Sequence, residues 1–314
     1  MALRLVFMGT AELSCRVLQA LIDSSEFDIA AVVTQPDRPK GRQLRLQPSP
    51  VKELALRLKL PLLQPERARD EKFQVAIEAI RPELMAVAAY GQILPQRLLD
   101  LPRFGCLNVH TSLLPKYRGA APIQWALLND ERQTGISIMK MDAGLDTGPI
   151  LDQAETNIGP EDTSETLHER LAQMGGHLLC QTISQYVAGI LKPRPQFSEA
   201  ATFAPRIKKE DGRLDWSQPA RALWNRVRGL IPWPCAFTFI STEGKPRLLK
   251  IWRAELAEGS GVPGKILQVD RSGILVACGN GALRILTVQQ EGGRRLSVSD
   301  FMAGHPLGPG QHLT

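Results

Sequence analysis

The sequence LRLVFMGTAELSCRVLQALIDSSEFDIAAVVT (residues 3–34) alternates apolar runs with a helical pattern. Residues 3–8 and 29–34 are short runs rich in apolar residues, which is typical of buried strands. Between them, Leu13–Leu21 repeats apolar residues at helical spacing. A strand, a helix and a second strand in so short a span predict a βαβ unit with parallel strands.

The alternation continues along the chain. Residues 73–80 and 163–187 have helical patterns, and residues 84–89 and 136–141 are apolar, strand-like runs. Strands that alternate with helices favour a parallel sheet covered on both faces. We therefore predict an α/β fold whose N-terminal domain, residues 1–190, is a Rossmann-like parallel-sheet domain.

A different pattern follows Trp216. A helix near residues 221–228 precedes short strands that are separated by Gly and Pro turns. We predict these strands at residues 236–240, 248–252, 266–269, 274–277 and 283–288. Short strands in this number favour a small β-barrel, similar to an OB-like fold, over residues 209–314. Residues 191–208 are predicted to be a stiff linker, because two prolines stand among charges in residues 192–196.

Charge is distributed unevenly between the two predicted domains. The whole chain has a formal net charge of +6, yet residues 206–314 contain 16 Lys and Arg against 9 Asp and Glu, whereas residues 1–205 contain 22 against 23. A basic excess in one region favours a polyanionic partner, although solvated surface cations give the same count. The segment 209–314 is thus a candidate nucleic-acid-binding domain.

Several classes of protein lack support in the sequence. No apolar run is long enough to span a bilayer or to form a signal peptide, so we expect no membrane association and a cytoplasmic protein. The five cysteines are scattered without a Cys-x-x-Cys pair, so we expect no metal site. A single glycine, Gly9, follows the first strand, where a dinucleotide site needs three.

Asn108 and His110 are the first candidate catalytic residues. They stand two apart at the end of a predicted strand, so their side chains point to the same face. An imidazole can relay a proton near neutral pH, and an amide can donate to an oxygen that acquires negative charge. An Asn-x-His pair alone also fits ordinary polarity at a strand end.

The longer motif around this pair resolves that ambiguity. Residues 112–123 read SLLPKYRGAAPI, and this string resembles the signature of the 10-formyltetrahydrofolate-dependent formyltransferases. Residues 141–150, MDAGLDTGPI, resemble a second block of that family, whose aspartate completes a catalytic trio. The resemblance implies that Asn108, His110 and Asp146 are the catalytic residues.

The same resemblance implies a folate site. Residues 89–95, AYGQILP, are similar to the family loop whose backbone holds the pterin ring. On this basis, 10-formyltetrahydrofolate is expected to be the co-substrate, with no metal and no covalent enzyme intermediate. The residues expected to contact it are Tyr90, Gly91, Gln92, Ile93, Leu94, Ser112, Leu113, Leu114, Pro115 and Asp142. One segment differs from the family pattern. The family usually has Gly-Thr-Pro-x-Phe-Ala after the first strand, whereas this chain has GTAELS at residues 9–14.

The formyl acceptor is a separate question, because the signature is shared with enzymes that act on other amines. Resemblance to the methionyl-tRNA formyltransferases covers nearly the whole chain and implies initiator methionyl-tRNA as the acceptor. The alternatives are an amino-sugar (sugar-nucleotide) formyltransferase that uses the same trio, and an inactive nucleic-acid-binding protein on the same scaffold. The intact trio argues against the inactive protein, and the basic excess argues against the sugar enzyme.

A basic loop separates these alternatives further. Residues 34–52 carry five Lys and Arg against one Asp, and their Pro and Gly residues predict a loop without regular structure. Such a loop could bind phosphates, although a solvated surface loop has the same composition. The residues predicted to bind tRNA are Arg38, Lys40, Arg42, Arg45, Lys208 and Lys209. A bulky tRNA partner makes us expect a monomer.

Overall fold

The computed structural model describes residues 2–40, 45–242 and 245–314. The chain forms two compact units that do not follow simple sequence order. The first unit contains Met1–Pro122, Thr134–Asn157 and His168–Ala204, and the second contains Ile123–Gln133, Ile158–Leu167 and Pro205–Thr314. The second unit therefore includes two short segments that lie well before its main part in the sequence. The predicted domain limits at residues 190 and 208 stay predictions.

The first unit is organised around a mixed seven-stranded sheet. Its elements in chain order are β1 (Leu3–Gly9), α1 (Glu12–Asp23), β2 (Phe27–Val33), β3 (Arg38–Lys40), β4 (Arg45–Gln47), α2 (Pro50–Arg57), β5 (Leu62–Leu63), α3 (Glu71–Ile80), β6 (Leu84–Ala88), α4 (Gln96–Asp100), β7 (Cys106–His110), β8 (Arg118–Gly119), β9 (Gln133–Lys140), β10 (Ile150–Asn157), most of α6 (Ser164–Val187) and β11 (Phe203–Ala204). The sheet order is β10-β9-β7-β6-β1-β2-β5.

The centre of this sheet is the predicted parallel arrangement. Strands β1, β2, β5, β6 and β7 pair in parallel, and β9 pairs antiparallel to β7. β1 is central because β6 and β2 flank it, and its residues Leu5–Met8 are fully buried. The carboxyl ends of β1, β6 and β7 meet at one edge, which is where ligands bind in open parallel sheets. The predicted Rossmann-like α/β fold is confirmed.

The segment that departs from the family pattern closes the β1–α1 turn with a serine. Gly9 lies so close to Ser14 that a Cβ on residue 9 would approach the Ser14 Cβ to 2.6 Å. The buried Ser14 hydroxyl donates to the carbonyl of Ala88 at 2.6 Å. The helix start is thereby fixed to the end of β6, and the departure affects local packing rather than the sheet.

The prediction for the basic loop is wrong. Residues 34–52 were expected to lack regular structure, yet β3 and β4 pair as an antiparallel hairpin. Arg38 pairs with Gln47, and Lys40 pairs with Arg45. Pro39 lies between them, and proline is compatible with an edge strand. The hairpin base is anchored by a buried hydrogen bond between the hydroxyls of Thr34 and Ser49 at 2.7 Å.

The predicted linker pairs extensively with the first unit. Ile150 and Arg194 exchange two backbone hydrogen bonds of 2.8 Å, and β11 pairs in parallel with β8. We call residues 192–204 the strap, because both of its ends are hydrogen-bonded to the first unit. Proline-rich composition predicted stiffness here but gave no sign of these partners.

The second unit contains an antiparallel sheet, as predicted. Its elements are α5 (Pro122–Leu128), α7 (Ala220–Gly229), β12 (Ala236–Thr242), β13 (Lys245–Ala257), β14 (Ile266–Asp270), β15 (Gly273–Ala277), β16 (Ala282–Gln290), β17 (Leu296–Ser297) and α8 (Val298–Met302). The sheet order is β12-β13-β16-β15-β14, and β17 pairs with β16. Its buried core includes Trp216, Leu223, Ile251, Ile285 and Phe301.

Residues 310–314 close this sheet. Thr314 exchanges backbone hydrogen bonds of 2.8 and 3.1 Å with Phe239 in β12. On the other side, the amide of Leu313 donates to Gly264 at 2.9 Å, and Ile266 in β14 donates to Gln311 at 2.8 Å. The two edge strands are therefore joined through one short segment, which gives the unit the barrel-like closure expected from its strand pattern.

Two kinds of feature are absent from the residues that the structure describes. None of their helices combines the length and hydropathy that crossing a membrane requires. Within the same residues, His, Cys, Asp and Glu form no group of three that could hold a metal ion.

The closing segment yields a stability prediction. Leu313 is 3% exposed and packs into the core of the second unit, whereas its neighbour His312 is exposed. We expect Leu313→Ala to lower the free energy of unfolding by about 2–4 kcal/mol, because it removes buried methyl groups and leaves a cavity.

The measurement is urea unfolding followed by tryptophan fluorescence. All five tryptophans, Trp125, Trp216, Trp224, Trp233 and Trp252, lie in the second unit, so their emission reports on that unit. His312→Ala is the control and should leave the midpoint nearly unchanged. Equal midpoints for Leu313→Ala and wild type would show that the segment does not close the sheet.

Candidate active site

β7 positions two of the three predicted catalytic residues. Asn108 pairs with Val87 in β6 and with Met139 in β9, so its backbone is held from both sides. His110, at the carboxyl end of β7, is 5% exposed, whereas Asn108 is half-buried. Both side chains lie on one face of the strand, as their spacing predicted. The side-chain amide of Asn108 has no hydrogen-bond partner among the described residues, so its N–H donors are available to a ligand.

The third predicted residue lies beside the second. Asp146, in the loop between β9 and β10, places Oδ2 3.6 Å from Nδ1 of His110. The other ring nitrogen, Nε2, donates to the carbonyl of Tyr117 at 2.9 Å. The imidazole thus faces a hydrogen-bond acceptor on each side, the Tyr117 carbonyl at Nε2 and the Asp146 carboxylate at Nδ1.

A backbone amide holds the Asp146 carboxylate. Gly119 donates to Oδ2 at 2.8 Å. Gly119 has a φ of +123°, and a Cβ there would lie 2.7 Å from the carbonyl oxygen of Ala204. Only glycine fits this position, because a side chain would meet rigid backbone in a left-handed conformation. The sequence motif contained Gly119, but its role in holding the carboxylate was not predicted.

The turn SLLP at residues 112–115 is pinned by neighbouring strands. Ser137 in β9 donates to the carbonyl of Ser112 at 2.7 Å and accepts from the amide of Leu114 at 3.0 Å. Gln153 in β10 donates to the Leu114 carbonyl at 3.0 Å. The Ser112 hydroxyl is buried and donates to the Lys116 carbonyl at 2.6 Å. The side chain of Ser112 is therefore satisfied internally, and contact of residues 112–115 with folate stays a prediction.

The predicted folate loop is fixed mainly through its polar groups. The carbonyl of Tyr90 accepts hydrogen bonds of 2.9 Å from both Thr10 and Gln35. The ring of Tyr90 is 2% exposed and lies in the core, and burial raises the pKa of its hydroxyl to about 12. The Gln92 side chain accepts from the amide of Ala68 at 2.7 Å.

Two residues of this loop differ in exposure. Leu94 is buried, whereas Ile93 is 86% exposed and presents its apolar side chain to solvent. In the Asp146 loop, Asp142 is exposed and accepts from the Thr147 hydroxyl at 2.7 Å and from the Gly144 amide at 3.0 Å. Asp142 therefore shapes the turn that leads to Asp146, and its contact with folate stays a prediction.

The predicted tRNA-binding residues lie on exposed surfaces where they are described. The Arg38 side chain is 57% exposed and 3.4 Å from Glu66, and Arg45 is exposed. The side chain of Lys40 and all of Arg42 lie outside the described residues. Lys208 and Lys209, in the second unit, are exposed at the start of a short 3₁₀ turn.

The cysteines are poor nucleophiles in this environment. Burial raises the pKa of Cys106 to about 12 and that of Cys15, Cys180, Cys235 and Cys278 to about 11. A thiol with such a pKa is protonated near neutral pH, and the thiolate is the reactive form. The chemistry of the site therefore rests on amide, imidazole and carboxylate groups.

Comparison with known proteins defines the class of the chain. Residues 3–183 match the family model "Formyl transferase", and residues 206–306 match "Formyl transferase, C-terminal domain". The chain therefore belongs to the formyl transferase family. Within it, the chain is 48% identical over 308 residues to the methionyl-tRNA formyltransferase of Citrifermentans bemidjiense, covering 98% of this chain and 95% of that protein. It is 46% identical to the methionyl-tRNA formyltransferase of Caldanaerobacter subterraneus subsp. tengcongensis, covering 99% and 100%.

Solved structures share the fold at low identity. HypX from Aquifex aeolicus in complex with tetrahydrofolic acid superposes with a TM-score of 0.65 at 17% identity, covering 96% of this chain and 47% of that chain. An N-formyltransferase from Helicobacter canadensis, in complex with folinic acid and dTDP-3-aminofucose, gives a TM-score of 0.64 at 16% identity, covering 92% and 100%. At these identities, the likeness shows the fold alone.

The geometry yields a prediction for the trio. We expect His110→Ala and Asp146→Asn each to lower kcat for formyl transfer by about 10²- to 10³-fold, because the first removes a group placed to stabilise developing negative charge and the second removes the carboxylate that holds the imidazole. The affinity for tRNA should stay near wild type, since the residues predicted to bind tRNA are other ones.

Single-turnover kinetics and filter binding measure the two effects. Asp100→Asn, which changes an exposed carboxylate on α4, is the control and should keep wild-type activity. If His110→Ala or Asp146→Asn retained more than about a tenth of wild-type kcat, a loss of less than 1.4 kcal/mol, the assignment would be wrong.

Proposed function

We propose that the chain transfers the formyl group of 10-formyltetrahydrofolate to the amino group of methionyl initiator tRNA. The observation that carries this proposal is the 46–48% identity, over nearly the whole chain, to proteins named methionyl-tRNA formyltransferase. The similarity includes both the segment that contains the trio and the basic second unit. Transfer of a function is better supported by similarity over the whole chain than by a shared fold.

The arrangement of the trio fits formyl transfer chemically. The amino group of methionine attacks the formyl carbon, which creates a tetrahedral oxyanion, and N10 of the folate leaves with a proton. The partner-free side-chain amide of Asn108 donates to the oxyanion, and the imidazole of His110 stabilises it. Asp146 fixes the ring and accepts a proton from the attacking amine, directly or through water. The proton then passes to N10 as the carbon–nitrogen bond breaks.

The loops beside the trio fit a folate donor. A pterin ring needs apolar contact on its faces and hydrogen-bond partners at its edge. Exposed Ile93, in the loop after β6, and exposed Leu145, next to Asp146, supply apolar contacts. Backbone groups of the loop 90–95 are proposed to supply the edge partners, and Gly91, with a φ of +81°, gives this loop a turn that other residues seldom adopt. The solved relatives whose names include tetrahydrofolic and folinic acid support this class of donor.

Exposed cations support a tRNA acceptor. Arg38, Lys40, Arg42 and Arg45 in the hairpin segment are proposed to contact the acceptor end, and Lys208 and Lys209 to contact another part of the backbone. The hairpin keeps its orientation because Lys52 pairs with Asp37 at 2.8 Å, and this hydrogen-bonded ammonium lowers the pKa of Asp37. We further propose that the protein acts as a monomer in the cytoplasm, where charged initiator tRNA is used.

An acceptor competition tests the proposal. The chain is supplied with 10-formyltetrahydrofolate and equal concentrations of methionyl initiator tRNA and a dTDP-linked amino sugar. We expect formylated methionine after alkaline release from the tRNA, and no formylated sugar. Formylation of the sugar nucleotide alone would contradict the proposal and favour the amino-sugar enzyme, and formylation of neither would favour an inactive binding protein.

The basic surface yields a second prediction, which requires substitution rather than truncation. The second unit is built from distant segments: Arg221 pairs with Asp130 at 2.8 Å, and Arg228 donates to the carbonyl of Gly159 at 3.0 Å. Removing every residue after 206 would therefore leave two segments without their partners. Substitution of exposed lysines avoids this damage.

We expect Lys208→Gln/Lys209→Gln to raise KM for tRNA and leave kcat unchanged. The slope of log affinity against log salt should fall by about 0.7–0.9 for each lost phosphate contact. The measurement is a salt series of filter-binding titrations. Arg69→Gln/Lys72→Gln, a pair of exposed cations in the first unit, is the control with equal charge loss. An unchanged slope in the Lys208/Lys209 variant would mean that these lysines are solvated surface residues.

A further inference from the structure

Asp146 has a backbone conformation that its surroundings must enforce. Its φ is +52°, in the left-handed region that residues other than glycine seldom adopt. Such a conformation is unfavourable for a residue with a side chain and persists where neighbouring groups fix it. The orientation of its carboxylate toward His110 depends on this backbone, so the groups that fix it bear on the proposed reaction.

The side chain of Gln196, in the strap, supplies two of these groups. Its amide nitrogen donates to the carbonyl of Asp146 at 2.9 Å and to that of Gly148 at 2.7 Å. Both protons of one NH₂ group are therefore used on the loop that carries Asp146. The two hydrogen bonds fix the direction of the peptide that follows Asp146.

The amide oxygen of Gln196 binds the other side of the site. It accepts from Nε and Nη2 of Arg118, at 3.2 and 2.8 Å. Arg118 is buried and directly precedes Gly119, whose amide holds the Asp146 carboxylate. A closed ring of contacts results, in which Gln196 binds the Asp146 backbone and Arg118, and the residue after Arg118 binds the Asp146 side chain.

The strap holds Gln196 in place from both directions. Two residues before it, Arg194 pairs with Ile150. Beyond it, the carbonyl of Thr202 accepts from the Arg118 amide at 2.9 Å, and β11 pairs with β8. Gln196 is half-buried, so its hydrogen bonds are partly shielded from water.

We propose that Gln196 is a positioning residue for formyl transfer, which fixes the left-handed turn at Asp146 and thereby directs the carboxylate toward His110. The inference rests on the proposed function, in which Asp146 and His110 act on the reacting groups. A neutral amide is the side chain that satisfies this position, because it donates to two carbonyls and accepts from a guanidinium at once.

Two substitutions test the proposal. Gln196→Glu keeps the size of the side chain and its contact with Arg118. It places a carboxylate oxygen, which can only accept, against the carbonyl oxygens of Asp146 and Gly148. Gln196→Met keeps approximately the length and removes all the hydrogen bonds. Ser198→Glu is the control, since it adds a negative charge at an exposed position of the same strap. Thermal melting of each variant establishes that it is folded before kinetics are measured.

The rate constants of each variant are compared with the NMR resonances of its His110 imidazole. We expect both Gln196 variants to lower kcat by about 10- to 100-fold, the effect of misplacing a catalytic group, with KM for folate and tRNA within about twofold of wild type. The imidazole ¹⁵N resonances of His110, assigned with His110→Ala, should shift in both Gln196 variants and stay unchanged in Ser198→Glu. Wild-type kcat, a change in KM alone, or unchanged His110 resonances would overturn the proposal.

The two readouts separate this proposal from the proposed function. The ¹⁵N measurement needs no substrate, so it reports the Asp146–His110 contact even if methionyl-tRNA is not the acceptor. If the wild-type chain formylated no methionyl-tRNA but the resonances shifted as expected, the proposed function would be wrong and the positioning role of Gln196 would stand. If one Gln196 variant failed to fold, the other would decide the outcome.

Discussion

The contact between the carboxylate of Asp146 and the imidazole of His110 is the constraint on which the site depends. His110 comes from a regular strand, so the sheet fixes its position. Asp146 comes from an irregular loop and reaches the ring because the Gly119 amide holds its carboxylate. Gly119 in turn lies in β8, which pairs with the strap. The functional geometry thus needs a strand that lies 85 residues further along the chain than its partner in the signature motif, since Phe203 pairs with Arg118.

The loop proposed to bind the formyl donor and the hairpin proposed to bind the formyl acceptor are linked through Gln35. Gln35 donates to the carbonyl of Tyr90 at 2.9 Å, and it lies at the start of the segment that continues into the basic hairpin. A Cβ on Gly91 would approach the amide nitrogen of Gln35 to 2.7 Å, so glycine permits this contact. The loop proposed to bind folate and the hairpin proposed to bind tRNA are therefore fixed to one another at the edge of the sheet, where two substrates must meet for direct transfer.

The sequence predicted the features that depend on local patterns. The central strands follow from apolar runs, and the common face of Asn108 and His110 follows from their spacing. Asp146 could be assigned only through resemblance, since no local rule brings residue 146 to residue 110. Gln196 was missed because a side chain between prolines and charges is typical of a linker, and its partners are distant in sequence. The β3–β4 hairpin was missed because Pro and Gly indicate turns without indicating which flanking residues pair.

The reaction assigned to this site is tested by a structure of the chain with 10-formyltetrahydrofolate bound in the absence of the acceptor. We expect the formyl oxygen to lie about 3 Å from the side-chain amide nitrogen of Asn108, with the imidazole of His110 beside the formyl group, since transition-state donors work at that distance. We also expect the Gly119–Asp146 hydrogen bond to be retained. A folate bound with its formyl group away from Asn108 and His110, beyond reach of both side chains, would contradict the assignment of the reaction to this site.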